Sequence, residues 1–392
     1  MRHFRSIFYL VLLLVVVSLA CNFGSGGDEP TAVPEATTAP TDVAVSPTEP
    51  PAAPTLAPTD APVQPTEPPA TKPALPTSAP PPTDVPVAQA PFELVSTPYS
   101  HPDGIFEIYP PVGWELEEKT AGATFTEPNG GSGFINVEVT NTSYQIDGAS
   151  FEQFVDARDE NLFGKFDGYE VINRQVDTDT GVARITKRLN FSGEPQVVFT
   201  LYDQHSEIIF SLDFWASADL AAPYRDKYEE IIDSASVDSA QAAAVVDVYY
   251  WIYTFTGPND LFEIDVPLSW KYETTSGDFA VVDTFYSPDN HGIVQNIAYD
   301  DGEAINNSQA GAFALALLKE YYADDIRITD DQVQPDGSER LTWNSPSGDY
   351  SGISFFESRG TTFLLFSVLW DNPYEVDYFD TLDYIISTYD VP

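Results

Sequence analysis

The chain has 392 residues, with 17 Lys and Arg against 61 Asp and Glu, a formal net charge of −44. Phosphate binding needs clustered cations, so no nucleic acid is expected as a partner, and direct docking on anionic lipid headgroups is disfavoured for the same reason. One Cys excludes an intrachain disulfide and a Cys-based metal site, and four His leave little room for His-rich catalysis.

Arg2, His3 and Arg5 form a short basic segment ahead of an apolar run from Ile7 to Val17. That run is too short to span a bilayer, which takes about 20 apolar residues, but it suits the apolar core of a signal peptide. It ends in Ser18-Leu19-Ala20-Cys21, which resembles the lipobox of bacterial lipoproteins. The family usually has Leu three positions before the Cys, where this chain has Ser18. The resemblance implies a signal peptide over residues 1–20 and acylation of Cys21, the lipid attachment site, with palmitate among the expected chains. Two or more acyl chains hold a protein stably on a bilayer. The expected location is therefore the extracytoplasmic face of the cell membrane, with the membrane contacted through the lipid anchor.

Residues 21–91 follow as lipid anchor and stalk. From 22 to 91 there are 19 Pro and 11 Thr, and Phe23 is the only aromatic. Such a composition cannot bury enough apolar surface to offset its ordering entropy, so a disordered, polyproline-rich stalk is expected.

From residue 92 the composition becomes globular and an internal repeat emerges. Phe106-Glu107-Ile108 with Pro111 and Trp114 matches Phe262-Glu263-Ile264 with Pro267 and Trp270 at an offset of 156. Thr124-Phe125, Gly181 with Arg184 and Thr186, Phe210-Ser211-Leu212, and Ile231-Ile232 recur in order as Thr284-Phe285, Gly337 with Arg340 and Thr342, Phe366-Ser367-Val368, and Ile385-Ile386. Two domains are expected, 92–238 and 245–392, joined by Ser-Ala-Gln-Ala-Ala-Ala at 239–244. The first holds 27 acidic and 9 basic residues and the second 26 and 5, so the charge belongs to both.

In the first copy, strand signals cover Ile105–Tyr109, Trp114–Glu118, Ala123–Thr126 and Phe134–Thr140. The last alternates Ile135, Val137 and Val139 with Asn136 and Glu138, the period of a half-buried strand. Ser150, with Gln153 three residues on, predicts a capping box opening a helix whose apolar face is Phe151, Phe154, Val155 and Leu162. Three or four strands follow, including Val197–Tyr202 and Glu207–Phe214, then a closing helix near Leu220–Ser234. The second copy repeats the order, with a helix from about Ser308 carrying Phe313, Leu317 and Leu318, a strand Thr362–Trp370, and a helix near Tyr374–Thr388. Glu207–Phe214 and Thr362–Trp370 are apolar on both faces and should be central strands. Turns at Ser192-Gly193 and Asp336-Gly337 imply hairpins. The expected class is α+β: two tandem α/β sandwich domains with mostly antiparallel sheets flanked by helices.

This order, with the opening Phe106, Ile108, Pro111 and Trp114 and again Phe262, Ile264, Pro267 and Trp270, resembles the PsbP-like α/β sandwich. The resemblance covers both domains but not the stalk. It implies an antiparallel sheet of about six strands between helices and an extracytoplasmic accessory or assembly role, and it transfers no catalytic residue.

Tests for chemistry are mostly negative. His101, His205 and His291 have no His counterpart in the other copy, and no Ser stands in a Gly-x-Ser-x-Gly elbow. Asp177-x-Asp179-x-Gly181 lacks the later ligands of a calcium loop and reads better as a hairpin turn. Asp300-Asp301-Gly302-Glu303, Asp324-Asp325 and Asp330-Asp331 would allow weak Ca²⁺ binding, with a solvated acidic rim as the plainer reading. Gly130-Gly131-Ser132-Gly133 lacks the Lys of a phosphate loop. Tyr249, Tyr250, Trp251, Tyr253 and Phe255 form either a stacking platform or, the preferred reading, packing between the domains. No catalytic, metal or cofactor-binding residue is assigned. The expectation is a non-catalytic binding or assembly module for an envelope protein. A solute- or glycan-binding lipoprotein is the alternative, and a carboxylate-based hydrolase ranks last; a buried, close carboxylate pair in a cleft would raise it.

Overall fold

The computed structural model describes residues 92–128, 131, 133–334 and 338–391. The expected signal peptide, Cys21, the Pro/Thr-rich stretch and the turn expected at Asp336-Gly337 lie outside these residues.

In the first half, β1 (Tyr99–Ser100) and β2 (Phe106–Ile108) precede β3 (Glu115–Lys119), β4 (Gly122–Thr126) and β5 (Phe134–Asn141). Helix α1 (Gly148–Phe163) follows, then β6 (Glu170–Asp177), β7 (Val182–Phe191), β8 (Glu194–His205) and β9 (Ile208–Ser217). The half closes with α2 (Ala221–Ser234), β10 (Ser236–Val237) and α3 (Ser239–Val245). The supposed joint at 239–244 is thus helical, capped by Asp238 and with Ala242 buried.

The second half runs β11 (Ile252–Thr256), β12 (Glu263–Pro267), β13 (Lys271–Ser276), β14 (Ala280–Tyr286), β15 (Gly292–Tyr299) and α4 (Asn307–Tyr321). It continues with β16 (Arg327–Val333), β17 (Glu339–Ser345), β18 (Tyr350–Arg359), β19 (Thr362–Asp371) and α5 (Glu375–Thr388).

Each half builds a seven-stranded antiparallel sheet, ordered β3-β4-β5-β9-β8-β7-β6 and β13-β14-β15-β19-β18-β17-β16. The strands apolar on both faces, β9 and β19, occupy the centre. The opening Phe-x-Ile strands stand outside these sheets: β2 pairs with β1 and β10, and β12 pairs with β11. Each sheet is therefore the middle of three layers. One face of the first packs on β2, α2 and α3 through Phe106, Ile135, Phe210 and Tyr228. Its other face lies under α1, through Phe151, Phe154 and Phe163. The second repeats this, with β12 and α5 on one face and α4 on the other.

Hairpin chemistry sets the strand ends. Ser192 and Gly193 both have positive φ, 54° and 84°, as a two-residue turn matched to strand twist requires. The 178–181 segment is likewise a turn, with Asp177 Oδ1 accepting the amides of Asp179 and Thr180. Helix α1 departs from expectation at its start. Its cap is Asp147, whose carboxylate accepts the Ser150 amide at 2.8 Å, so Ser150 is already helical. A cap must have extended backbone ahead of the first turn, and Asp147 does (φ −73°, ψ 173°).

Pairing register also corrects one repeat landmark. Thr200↔Asp213 and Ser354↔Ser367 each lie five pairs from the closing hairpin of β8–β9 and β18–β19. Ser367 therefore stands level with Asp213, not with Ser211. An even shift keeps every side chain on its own face, so hydrophobic alternation could not reveal it. Matching irregularities in β6 (Val171/Asn173) and β16 (Ile328/Asp330) keep the outer strands in step. The described residues all fall within one compact unit, Pro82–Pro392.

Candidate functional site

His101, His205 and His291 do separate structural work. His101 is buried: its Nε2 contacts the Lys119 carbonyl at 2.8 Å and its Nδ1 accepts the Asp103 amide at 3.2 Å. It sits in the loop between β1 and β2 but is only 3% exposed. His205 lies beside Asp203 at 3.1 Å, at a hairpin end. Its hydrogen bond to Asp203 raises its pKa. His291 Nδ1 contacts Asp371 at 2.7 Å, and its ring stacks on Tyr374 at 3.8 Å.

Asp300 and Asp325 serve as acceptors at chain turns, while Asp330 and Asp331 lie within β16. Asp300 takes the Gly302 amide and the Thr361 hydroxyl, both at 2.9 Å. Asp325 takes the Ser345 hydroxyl and the Ser347 amide, both at 2.8 Å. Among the described residues no three His, Cys, Asp or Glu side chains are grouped so as to hold a metal ion, and no helix is long and apolar enough to cross a membrane.

No spacing or motif signals what lies under α1. Arg158 Nη2 donates to Glu138 at 2.6 Å and to Asp213 at 2.8 Å, and Nη1 donates to the Tyr202 hydroxyl at 3.0 Å. Asp213 also accepts from Thr200 at 2.7 Å. Beside them Lys187 pairs with Asp159, which accepts from Tyr169. Arg158, Lys187, Glu138, Asp159 and Asp213 are all at most 4% exposed. Strand β5, with Glu138 inward, is therefore covered on both faces, not half-buried. Burial opposes ionisation of Asp213, but Arg158 and Lys187 outweigh it and hold the carboxyl below its usual range. Burial dominates at Lys187 and lowers its pKa. This is a close carboxylate pair, the feature that would favour a hydrolase. It is sealed beneath α1, however, and Arg158 already occupies the space between the two acids.

The second half fills the same layer without charge. Counting from the caps Asp147 and Asn306, Arg158 and Asp159 are level with Leu317 and Leu318. By strand register Glu138 is level with Ile297, Lys187 with Trp343, and Tyr202 with Phe356. Tyr169, two residues before the Val171↔Lys187 pair, is level with Ile326. All six replacements belong to one apolar cluster.

Helix α1 turns its outer face to the second half. Asn161 Nδ2 donates to the carbonyls of Leu268 and Trp270 at 2.8 and 2.9 Å, and its Oδ1 accepts from Tyr253 at 3.2 Å. Gln153, expected in a capping box, instead donates to the Ser287 carbonyl at 2.8 Å. Further along the seam Asp289 accepts from both Tyr144 and Tyr378, and Tyr249 stacks on Tyr378. Burial first, then the Asp289 carboxylate, pushes the Tyr144 phenol well up. The Trp251 indole donates to the Val139 carbonyl at 2.9 Å. The aromatic run at 249–255 is thus mostly packing, as preferred, although β11 leaves Ile252, Thr254 and Thr256 exposed on one face.

Beside this seam α1 and the strands β11 and β13 enclose a cleft of about 740 Å³. Glu152, Asp156, Glu160 and the following Lys165 line one side; Tyr253, Phe255, Lys271 and Tyr272 line the strand side. Arg174 of β6 bridges Glu152 and Asp156 at 3.0 and 2.7 Å. Glu160 makes no ion pair with a described residue. The rings are committed to neighbours: Lys165 lies over Tyr253 at 5.2 Å, and Phe255 packs on Tyr272 and Phe285 at 4.7 and 5.0 Å. The spacing of the three acids is visible in the sequence. The aromatic strip they face lies about a hundred residues on, and only the fold joins them.

No family model and no curated protein matches the chain. Solved structures do. Cyanobacterial PsbP (CyanoP) from Synechocystis sp. PCC 6803 is 12% identical, with 38% of this chain and 95% of that one covered, at a TM-score of 0.30. LpqN of Mycobacterium tuberculosis, described as involved in cell envelope biogenesis, is 17% identical over 36% of this chain and 89% of its own, at a TM-score of 0.26. A protein from Bacteroides thetaiotaomicron VPI-5482 is 10% identical over 68% and 87%, at a TM-score of 0.25. The architecture described above rests on strand order and register.

Proposed function

We propose that this chain is a lipid-anchored, extracytoplasmic lipoprotein that acts as a non-catalytic binding module for an envelope protein, with the cleft between α1 and the β11–β13 strip as its site. The observation that carries the reading is the cleft itself: two halves held by side-chain-to-backbone bonds line a mixed apolar and charged surface of ligand-site size, within the ~300–1,000 Å³ typical of such clefts. Its rings are covered by Lys165 and by one another, which favours a polypeptide over a stacked sugar ring. The PsbP-like resemblance of the two opening motifs supports an accessory role. Tethering rests on the Ser18-Leu19-Ala20-Cys21 motif.

The test is photo-cross-linking in intact cells, with the reactive residue at position 165 in the cleft or at 227 on α2. A specific adduct with an envelope protein from 165 alone is the expected result. Absence of any adduct from 165, with retention of the chain on a glycan array, would overturn it. Separately, Cys21→Ala should release the protein from membranes, and unchanged retention would refute the anchor.

A further inference from the structure

We infer that Lys187 of β7 and Asp159 of α1 condense into an amide, a covalent side-chain link within the first half. The two side chains touch, Nζ against Oδ1, with Lys187 0% and Asp159 4% exposed. An ammonium brings three N–H donors. Among the described residues Asp159 is the only hydrogen-bond acceptor of this one, and the centroid of the Phe163 ring lies 3.7 Å from Nζ. A buried ammonium so poorly satisfied is costly, whereas an amide has a single N–H to place. Burial also lowers the pKa of Lys187, which favours the neutral, nucleophilic amine. Tyr169 donates to Oδ2, the second Asp159 oxygen, at 2.5 Å. Burial and then the Asp159 carboxylate hold that phenol well above its usual range, so it stays a donor. In the second half all three groups are replaced together, by Trp343, Leu318 and Ile326.

The step balances without an oxidant or co-reactant. The ammonium passes one proton to Asp159 Oδ1, leaving a neutral amine against a carboxylic acid. The Nζ lone pair forms a bond to Cγ, and the C=O electrons move to Oδ2, which the Tyr169 hydroxyl holds. Nζ then gives a second proton to Oδ1, the Cγ–Oδ1 bond breaks, and one water leaves. In bulk water ionisation of both groups opposes this condensation. Here the buried ions are the costly state, and the link removes one charge of each sign. Arg158 still faces Glu138 and Asp213, so the charge balance of the network is unchanged.

Tryptic mapping of the denatured full chain by mass spectrometry tests it. Trypsin does not cut after an acylated lysine. The expected product is 159–165 joined to 185–188, lighter than the two peptides together by one water, with fragmentation placing the join at Asp159 and Lys187. Recovery of 159–165 and 185–187 as free peptides, or a join from Lys187 to another acid, would overturn the inference. The wild-type map decides this whether or not any variant folds. Asp159→Ala should abolish the joined peptide and restore cutting after Lys187; a block that persisted there would also refute the link. In freshly synthesised chain, Tyr169→Phe keeps the ring but loses the donor to Oδ2, so the joined peptide should accumulate about a hundredfold more slowly. Equal rates would remove Tyr169 from the reaction.

Discussion

Arg158 shows how one residue can be indispensable without being the most stable choice. Its guanidinium separates Glu138 from Asp213 where no water reaches. Arg158→Leu alone leaves both carboxylates buried and unpaired, and a loss of about 3–5 kcal/mol in urea unfolding is expected. Glu138→Ile, Arg158→Leu and Asp213→Ser together copy the residues at the level positions of the second half. That triple variant should regain most of the loss, because replacing a whole buried ion set by packed apolar groups is often neutral. A triple variant as weak as the single one would show that packing, not charge, is at fault. The acid dependence has a definite sign. The folded pKa of Asp213 lies below its unfolded value, so its contribution is complete above about pH 4, the unfolded carboxylate value, and is lost as pH falls through the folded pKa. The stability gap between the wild type and the triple variant should therefore move against the wild type as pH is lowered from 7 to 3. A gap independent of pH would contradict this. None of it was legible in the sequence: Glu138 sits at a position that alternation assigns to solvent, and Arg158 and Asp213 stand 20 and 75 residues from it along the chain.

Helix α1 links the scales, because its inner face is fixed by charge and its outer face binds the second half. Asn161 is the clearest contact, giving both amide hydrogens to carbonyls of the turn before β13. Asn161→Ala should cost about 1–3 kcal/mol, since those carbonyls lose their donors in a half-buried site. Hydrogen exchange should then accelerate at residues 268–272 while the first-half core strands stay protected. Unchanged exchange there would mean the apolar seam alone holds α1. Strands and helices themselves were readable from sequence, because period-two and helical spacing report burial directly. The cap of α1 was misread by three residues because Ser150 and Asp147 are both good caps, and only backbone direction distinguishes them. The opening Phe-x-Ile strands were correctly found but could not be assigned to a sheet. Pairing partners are a tertiary choice.

At the scale of the whole molecule, charge opposes compactness. Both halves are strongly acidic, and self-repulsion of this kind weakens as salt shortens the Debye length from about 30 Å at 0.01 M to about 3 Å at 1 M. The melting temperature should rise by a few degrees over that range, and a fall would mean that exposed ion pairs such as Arg174 with Glu152 and Asp156 dominate instead. The sequence by itself determined the strand and helix order, the central strands, the Ser192-Gly193 hairpin turn and the acidity, since each follows from local spacing or composition. It also motivated the expectation of an anchored, stalked protein, through Cys21 and the Pro/Thr-rich stretch. Only the tertiary structure decided that one half buries an ionic network where the other buries Leu, Ile and Trp, and that a helix of one and strands from two sheets of the other line a cleft. Both depend on contacts between residues far apart in the chain, which periodicity cannot report.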